Sequence, residues 1–252
     1  MKILLLSDIH ANICALQAIE QAETWDEVWC CGDLVDFGAY PLEVIRWMQA
    51  QNARCVLGDH DAYVLSLTQE DCRRAWDDRR WHWCHYNRER LDDNSLTYLH
   101  SLPRTMLLTA DSIAYQMQHK YDSGYGTVES IDQFEGFWKG ERALQRRLLF
   151  GHTHRRCVHQ LDECTLWCNP GSASYRRPDD PDKRAHYMVI EDGLIRFGAI
   201  GYDRSPLLTE TQECLRTGRM VDACLQDAFF FFGNAKTTRD PLPIVNNVSF
   251  SS

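Results

Sequence analysis

Cys55-Val56-Leu57-Gly58-Asp59-His60-Asp61 is a short apolar run that ends in a glycine, two carboxylates and an imidazole. The run reads as the end of a strand, and Gly58 allows a sharp turn after it. Carboxylate beside imidazole is the donor mix that hard-to-borderline divalent metals accept. Taken alone the motif is weak. Its weight comes from three segments of similar make-up: Asp8-Ile9-His10, Gly32-Asp33 and Gly151-His152-Thr153-His154.

Working outward from residue 58, the preceding chain alternates strand and helix. Ile3 to Leu6 is a continuous apolar run, as in a strand buried on both faces, and it ends in Asp8. Ala11 to Ala22 reads as a helix, with Ile13, Leu16 and Ile19 on one stripe. Val28 to Cys30 is a second strand and runs into Gly32-Asp33. Pro41 suits a helix start, with Leu42, Ile45 and Met48 on the apolar face. Ala53 to Leu57 is the third strand. This order predicts a parallel sheet with right-handed crossovers. Polar groups at the carboxyl ends of its strands meet in one crevice, where α/β sheets bind ligands.

Beyond residue 61 the rhythm breaks. Residues 62–102 hold Trp76, Trp81, Trp83 and a run of arginines between Arg73 and Arg90; they read as one or two helices stopped by Pro103, a helical insertion that would serve as a lid. Met106 to Leu108 and Ile113 to Met117 are strands about a turn at Ala110-Asp111-Ser112, the second ending in His119. Residues 120–141 read as a loop with a short helix. Leu148 to Phe150 delivers Gly151-His152-Thr153-His154, and Thr165 to Cys168 leads to Asn169-Pro170-Gly171-Ser172. A hydrophilic loop, Arg176 to Arg184, precedes a hairpin of Tyr187 to Ile190 and Leu194 to Ala199. Leu207 to Phe232 is helical in composition, within a C-terminal helical segment of about 205–240, and the last dozen residues read as a tail. No repeat or low-complexity linker appears, so residues 1–252 are expected to form one domain.

Bulk properties narrow the class. The chain has 252 residues, 44% hydrophobic and 25% charged, the balance of a soluble globular protein. A formal net charge of −9 disfavours nonspecific binding to nucleic acid or anionic membrane, though a bound metal reverses the local sign for a phosphate substrate. The 11 cysteines are scattered, unlike a secreted disulfide framework. Ser7-Asp8 ends the opening apolar run too early for a signal peptide, and no run reaches the length of a membrane span. A reducing cytoplasm is the expected setting.

Asp8, His10, Asp33, Asp59, His60, His119, His152 and His154 all follow apolar runs. Each alone has a plain explanation: an Asp caps a helix or makes a turn, and a His packs in a core. All of them in this order do not. The number exceeds the needs of one metal and suits a two-metal site with a shared carboxylate.

The order Asp-x-His, Gly-Asp-x-x-Asp, Gly-x-His-Asp, His, Gly-His-x-His resembles the calcineurin-like metallophosphoesterase superfamily. The size, the Asn169-Pro170-Gly171-Ser172 turn and Leu102-Pro103 resemble its small bacterial and archaeal branch of phosphodiesterases and diadenosine-tetraphosphatase-like enzymes. The resemblance covers about residues 1–200. It implies an α/β (α+β) four-layer α/β/β/α sandwich of two mixed β-sheets. It implies two divalent metal ions, with Mn first and Fe, Zn, Co or Ni as alternatives. Asp8, His10 and His154 would hold one metal; Asp59, His119 and His152 the other; Asp33 would bridge. His60 would be the general acid, oriented by Asp36. The activity implied is hydrolysis of phosphodiesters or phosphomonoesters of a small phosphate-ester or nucleotide substrate, by a metal-bridging hydroxide and without a phosphoenzyme. Dinucleoside polyphosphate hydrolase and serine/threonine protein phosphatase are the alternatives within the class. A catalytically weak scaffold for protein binding, as the superfamily's retromer subunit resembles, is the alternative outside it.

Two residues depart from the family pattern. Asp59 stands where the family has asparagine, which adds a negative charge and predicts a weaker pull on an anionic substrate. Lys120 stands where glycine usually follows the histidine; it would meet the phosphate or narrow the pocket, and it leaves His119 the least secure ligand, with Gln118 as the neighbouring alternative. Arg155 and Arg176, with Arg156 and Arg177 beside them, are candidates for binding phosphate, or else a solvated face. Cys157-x-His159, Cys164 and Cys168 have loose zinc-like spacing but lack a Cys-x-x-Cys knuckle. Trp81-His82-Trp83-Cys84-His85 reads as packed lid aromatics rather than a base-stacking platform.

Overall fold

The structure is a computed structural model. It describes residues 1–68, 82–120, 126–141, 143–174 and 180–233. Trp76, Trp81, Arg73 to Arg80, Arg176, Arg177 and the C-terminal tail lie outside the described residues.

The continuous apolar run at the N-terminus forms β1 (Lys2–Leu6), and Ile3 to Leu6 are all but completely buried. Each such side chain contributes roughly 1.5–3 kcal/mol over exposure. α1 (Ile13–Ala22) follows, two residues later than the periodicity suggests, because Asn12 caps it by accepting from the Ala15 N–H at 3.1 Å. Next come β2 (Glu27–Cys30), α2 (Pro41–Ala50, with proline in its first turn), the two-residue β3 (Arg54–Cys55) and α3 (Asp59–Ser66). β1, β2 and β3 are parallel, as read from the sequence. The sheet as a whole is not. The hairpin of β9 (Ala185–Glu191) and β10 (Leu194–Ile200) returns to pair antiparallel with β1, giving the order β10-β9-β1-β2-β3. β1 thus lies between β9 and β2, and its run shows no alternation because both faces are covered, Leu4 and Leu6 in one core cluster and Ile3 and Leu5 in the other.

The second sheet has the order β4-β5-β6-β8-β7, from β4 (Thr105–Ala110), β5 (Ile113–Gln118), β6 (Arg146–Leu149), β7 (Arg156–Gln160) and β8 (Thr165–Pro170). It too is mixed, with β4 and β7 antiparallel to their neighbours. β7 has no reading in the sequence analysis; it is a half-exposed edge strand whose residues include Cys157 and His159. His159 accounts for itself by donating Nδ1–H to the Val128 carbonyl at 2.7 Å.

The sheets pack face to face. Ile3, Leu5, Trp29 and Val56 meet Tyr115, Met117, Leu149 and Cys168. The outer face of the first sheet is covered by α1 and α2 through Leu16, Ile19, Val44, Ile45 and Met48. The outer face of the second packs Leu148, Phe150 and Trp167 on Phe134 of α6 (Ile131–Phe137). The order is helix, sheet, sheet, helix: the four-layer α/β/β/α sandwich.

Within residues 62–102, α4 (His82–Arg90) and α5 (Asp93–Ser101) are described. His82 to Asn87 are buried, and Trp83 Nε1 donates to Asp227 Oδ2 at 3.3 Å. α4 is therefore a packed wall. α7 (Ser205–Arg216) and α8 (Asp222–Phe231) close over it, burying Phe230, Phe231 and Phe232 with Phe37, Trp83 and Tyr86. No helix among the described residues is long and apolar enough to cross a membrane.

Candidate metal centre

The loops that leave β1 and β2 are laced together at the sheet's carboxyl edge. Asp8 N–H donates to the Gly32 carbonyl, Ile9 and His10 N–H to Asp33, and Ala11 N–H to Leu34. This geometry puts Asp8, His10, Asp33 and Asp36 in the left-handed backbone region, with φ between 48° and 73°. His152 and His154 share it, at 64° and 59°. Such backbone is uphill for a residue with a side chain, and it concentrates where surrounding contacts enforce it.

Asp61 is one of those enforcing contacts. Its Oδ1 accepts from Leu34 and Val35 N–H (2.8 and 3.1 Å), and its Oδ2 from Asp33 and Gly58 N–H (both 3.0 Å). The sequence reading made it a cap for α3; it is also the brace that joins the Gly32-Asp33 loop to the Gly58 turn. Burial and the charge of Asp33 push its pKa up to about 7, against the pull of the backbone N–H groups. At Gly58 a Cβ would collide with Asp33 itself, so the turn needs glycine.

Two groups of donor atoms result. Asp8, His10 and His154 form the first, and Asp33, Asp59, His119 and His152 the second; within each, the atoms lie within 4.8 Å of one another. In the first, His154 Nε2 is 3.2 Å from Asp8 Oδ1 and 3.4 Å from His10 Nε2. In the second, His119 Nε2 is 2.8 Å from Asp59 Oδ1 and 3.1 Å from Asp33 Oδ2, and His152 Nδ1 is 3.3 Å from Asp59 Oδ1. Asp33 Oδ2 is also 3.9 Å from His10 Nε2, so it stands between the groups. Each group draws residues from both sheets: Asp8, His10, Asp33 and Asp59 from the first, His119, His152 and His154 from the second.

The donor set fits cations. Asp33 Oδ2 and Asp59 Oδ1 are buried and converge on the buried His119 Nε2, at 3.1 and 2.8 Å. Leaving such atoms unfilled is costly. His119 Nδ1 lies 2.7 Å from the Cys31 carbonyl, which can only accept. Nδ1 therefore carries the proton and Nε2 faces the carboxylates, the orientation a ligating imidazole needs. Burial pushes His119 toward neutrality, but Asp33 and Asp59 overcome it and hold its pKa well above the usual imidazole range. An imidazolium here occupies a place suited to a metal cation. His10, by contrast, is pushed down to about 3 by burial, which outweighs Asp33, and so stays neutral.

His60 belongs to neither group. Its Nδ1 is 2.7 Å from Asp36 Oδ2, and its backbone N–H donates to Asp33 Oδ1 at 2.9 Å. Its ring stands edge-on to His10 at 5.0 Å and to Phe37 at 5.1 Å. Asp36 is held in turn. Cys84 Sγ donates to Oδ2 at 3.2 Å, Phe37 N–H donates to Oδ1 at 2.9 Å, and the Asp36 N–H donates to Asn87 Oδ1 at 3.0 Å.

Of the expected phosphate-binding residues, Lys120 is spent on a ligand group: its Nζ is 3.1 Å from Asp59 Oδ2. Arg155 is exposed beside His154. Arg176 lies outside the described residues. Neither donor group includes Cys157, His159, Cys164 or Cys168, and the Gln118 amide is engaged by Gln116 Nε2 and the Lys120 carbonyl. The sequence reading missed Cys84, Asn87 and the supporting role of Asn169, whose Nδ2 donates to the Gly151 carbonyl (2.6 Å) and to Thr153 Oγ1 (3.0 Å) beneath the two histidines. The Asn-Pro-Gly turn was the only signal of the last; Cys84 and Asn87 had none.

A two-sheet sandwich with paired metal-ligand groups at one edge is the architecture of metallophosphoesterases. This chain belongs to the calcineurin-like phosphoesterase superfamily, whose domain it matches over residues 1–192. The structure is similar to the crystal structure of a metallophosphoesterase from Sphaerobacter thermophilus (TM-score 0.66, 21% identity, 90% of this chain and 98% of that one). It is also similar to that of a protein from Pyrococcus horikoshii (TM-score 0.70, 14% identity, 92% and 98%). These likenesses concern the fold. Over 104 residues the chain is 30% identical to an uncharacterized protein of Methanocaldococcus jannaschii, covering 40% of this chain and 42% of that one. Over 73 residues it is 34% identical to a Cronobacter sakazakii protein named symmetrical bis(5'-nucleosyl)-tetraphosphatase, covering 27% and 26%. The chain thus spans less than half the length of these relatives.

Proposed function

We propose that this protein is a two-metal phosphoesterase that hydrolyses a phosphodiester or phosphomonoester of a small organic phosphate or nucleotide. The observation that carries this reading is the pair of donor groups on either side of Asp33, with the His60–Asp36 pair alongside. Asp8, His10 and His154 would hold one divalent ion and Asp59, His119 and His152 the other, with Asp33 as the carboxylate shared between them. Such ions would supply an activated water and charge to offset that of the phosphoryl oxygens.

The chain's own residues supply the rest. Burial lowers the proton affinity of His60, but Asp33 and then Asp36 outweigh it and raise its pKa to about 10 in the metal-free protein. With Asp36 Oδ2 2.7 Å from its Nδ1, the protonated His60 ring would give its other proton to the departing oxygen. Asp36 keeps the ring in place and stabilises its charge. The backbone bond from His60 to Asp33 fixes the acid relative to the bridging carboxylate. Arg155 and Arg176 add charge for the phosphate. Residues 1–252 constitute one domain in this reading, with residues 62–102 a helical insertion.

Manganese is the first metal to test, then Fe, Zn, Co and Ni, since mixed oxygen and nitrogen donors accept all of them. The ten described cysteines are all free, which supports a reducing compartment. The name borne by the Cronobacter relative favours one narrower reading, hydrolysis of dinucleoside polyphosphates.

The test is metal analysis of the purified protein, followed by a panel of bis-p-nitrophenyl phosphate, p-nitrophenyl phosphate and diadenosine tetraphosphate with each metal. Metal-dependent turnover of at least one ester, lost on removal of His10 or Asp33, is expected. Two bound metals with no turnover of any ester would favour the binding scaffold and overturn the enzyme.

A further inference from the structure

The Asp59 carboxylate divides its two oxygens between two environments. Oδ1 turns inward, 2.8 Å from His119 Nε2 and 3.3 Å from His152 Nδ1. Oδ2 turns outward and is held 3.1 Å from Lys120 Nζ. Lys120 directly follows His119, so the chain segment that brings one member of the second donor group to the site also brings an ammonium to another. The lysine is about one-third exposed (32%) while Asp59 is 15% exposed, so the pair stands at the rim with its carboxylate end inside.

We propose that Lys120 is a positioning residue for the second metal site: it keeps Asp59 a one-oxygen ligand through Oδ1 and offsets the charge Asp59 adds. The proposal rests on the two-metal reading. Its first consequence is geometric. With Oδ2 engaged by an ammonium, Asp59 is not free to chelate through both oxygens, and Oδ1 stays aimed between the two histidines. Its second is electrostatic. Asp8, Asp33 and Asp59 place three carboxylates around two divalent ions, leaving about +1; the ammonium returns the local charge to about +2, which favours an anionic substrate. Lys120 therefore has opposite effects on the two partners of the site. It loosens metal binding, by repulsion and by withholding Oδ2, and it tightens phosphate binding.

Partners of ligating groups commonly shift metal affinity about ten- to a hundred-fold. Because this partner is a cation, its removal tightens metal binding. The experiment is calorimetric titration of the metal-free protein with manganese, then of the manganese-loaded protein with inorganic phosphate. It uses the wild type, Lys120→Met, Lys120→Arg, Asp59→Asn and the double variant Asp59→Asn/Lys120→Met. The expected result for Lys120→Met is manganese bound about tenfold more tightly at one of two sites and phosphate about tenfold more weakly, while Lys120→Arg stays within about threefold of wild type. In the Asp59→Asn background the lysine has no carboxylate to hold it and turns to water, so Lys120→Met changes manganese affinity by less than about threefold. An unchanged Lys120→Met, a loss of manganese affinity in it, or an equal effect in both backgrounds overturns the proposal while leaving two bound metals in place. A wild type that binds no manganese or only one ion overturns the two-metal reading, and the role of Lys120 with it.

Discussion

The Nδ1 of His60 lies 2.7 Å from Oδ2 of Asp36, and that same oxygen accepts from Cys84 Sγ at 3.2 Å. A protonated ring held this way can give up only its other proton. If His60 is the acid, its value depends on how poor the leaving group is. His60→Gln should lower kcat for an alkyl phosphate ester by about 10²–10⁴-fold and for a p-nitrophenyl ester by far less, with metal content unchanged. Asp36→Asn should give a smaller loss, on the order of tenfold, in the same direction. Equal losses on good and poor leaving groups would remove His60 from the proton-donor role.

The same imidazole links stability to alkaline pH. His60 has an ordinary pKa of 6.5 and one of about 10 in the folded, metal-free protein. A pKa raised on folding stabilises the fold fully below the ordinary value and is lost as pH rises through the raised one. The melting temperature of metal-free protein should therefore fall between about pH 7 and pH 10, and fall less in His60→Gln. His119, also raised, contributes to the same decline. Manganese should flatten the share due to His119, because a cation in the second donor group replaces that imidazolium charge. A His60→Gln profile parallel to wild type over this range would contradict the assignment.

Asp61→Asn tests the brace. An amide offers one oxygen to four backbone N–H groups and sets its own NH₂ against two of them. The expected loss is about 2–4 kcal/mol by urea unfolding, with weaker binding of one metal of two. A change below about 0.5 kcal/mol would mean that the Gly32-Asp33 loop keeps its shape unaided.

Phe231 connects the C-terminal helices to the site. Its ring stands edge-on to Phe37 at 5.5 Å, and Phe37 in turn meets His60. Phe231→Ala should cost about 3–5 kcal/mol, read as a lowered melting temperature, with both metals still bound. Melting unchanged within error would show that residues beyond 192 pack too loosely to support the domain.

Most of the fold was legible because β1, β2 and β8 are so thoroughly apolar and because each strand leading to the site ends in a donor residue. The mixed character of the first sheet was not, since nothing in Tyr187 to Ile190 says which strand the hairpin joins; β1 accepts it only because its other edge is open. β7 was missed for a related reason: an edge strand of mixed burial has neither a continuous nor an alternating pattern. The donor residues were legible as candidates through motif order, and their division between two ions is what the family resemblance implies. Their supports were not. Asp61, Asn87, Cys84 and Asn169 act on backbone atoms or side chains 16 to 51 positions away, and no local spacing encodes such partners. Lys120 was visible as an oddity, but its nearness to the other oddity, Asp59, appears only when β5 is laid beside the Gly58 turn.

Both donor groups take members from both sheets, and this sets an order of events during synthesis. The first 61 residues bring Asp8, Asp33 and Asp59 into being long before His119, His152 and His154 leave the ribosome. Of the site's imidazoles, only His10 and His60 accompany those three carboxylates in the first 61 residues. Chains truncated before residue 119 keep the first three motifs of the sequence and lack all three imidazoles of the second sheet. Tight metal retention would thus report that the two halves have docked, and a metal-affinity step would separate finished molecules from abandoned ones.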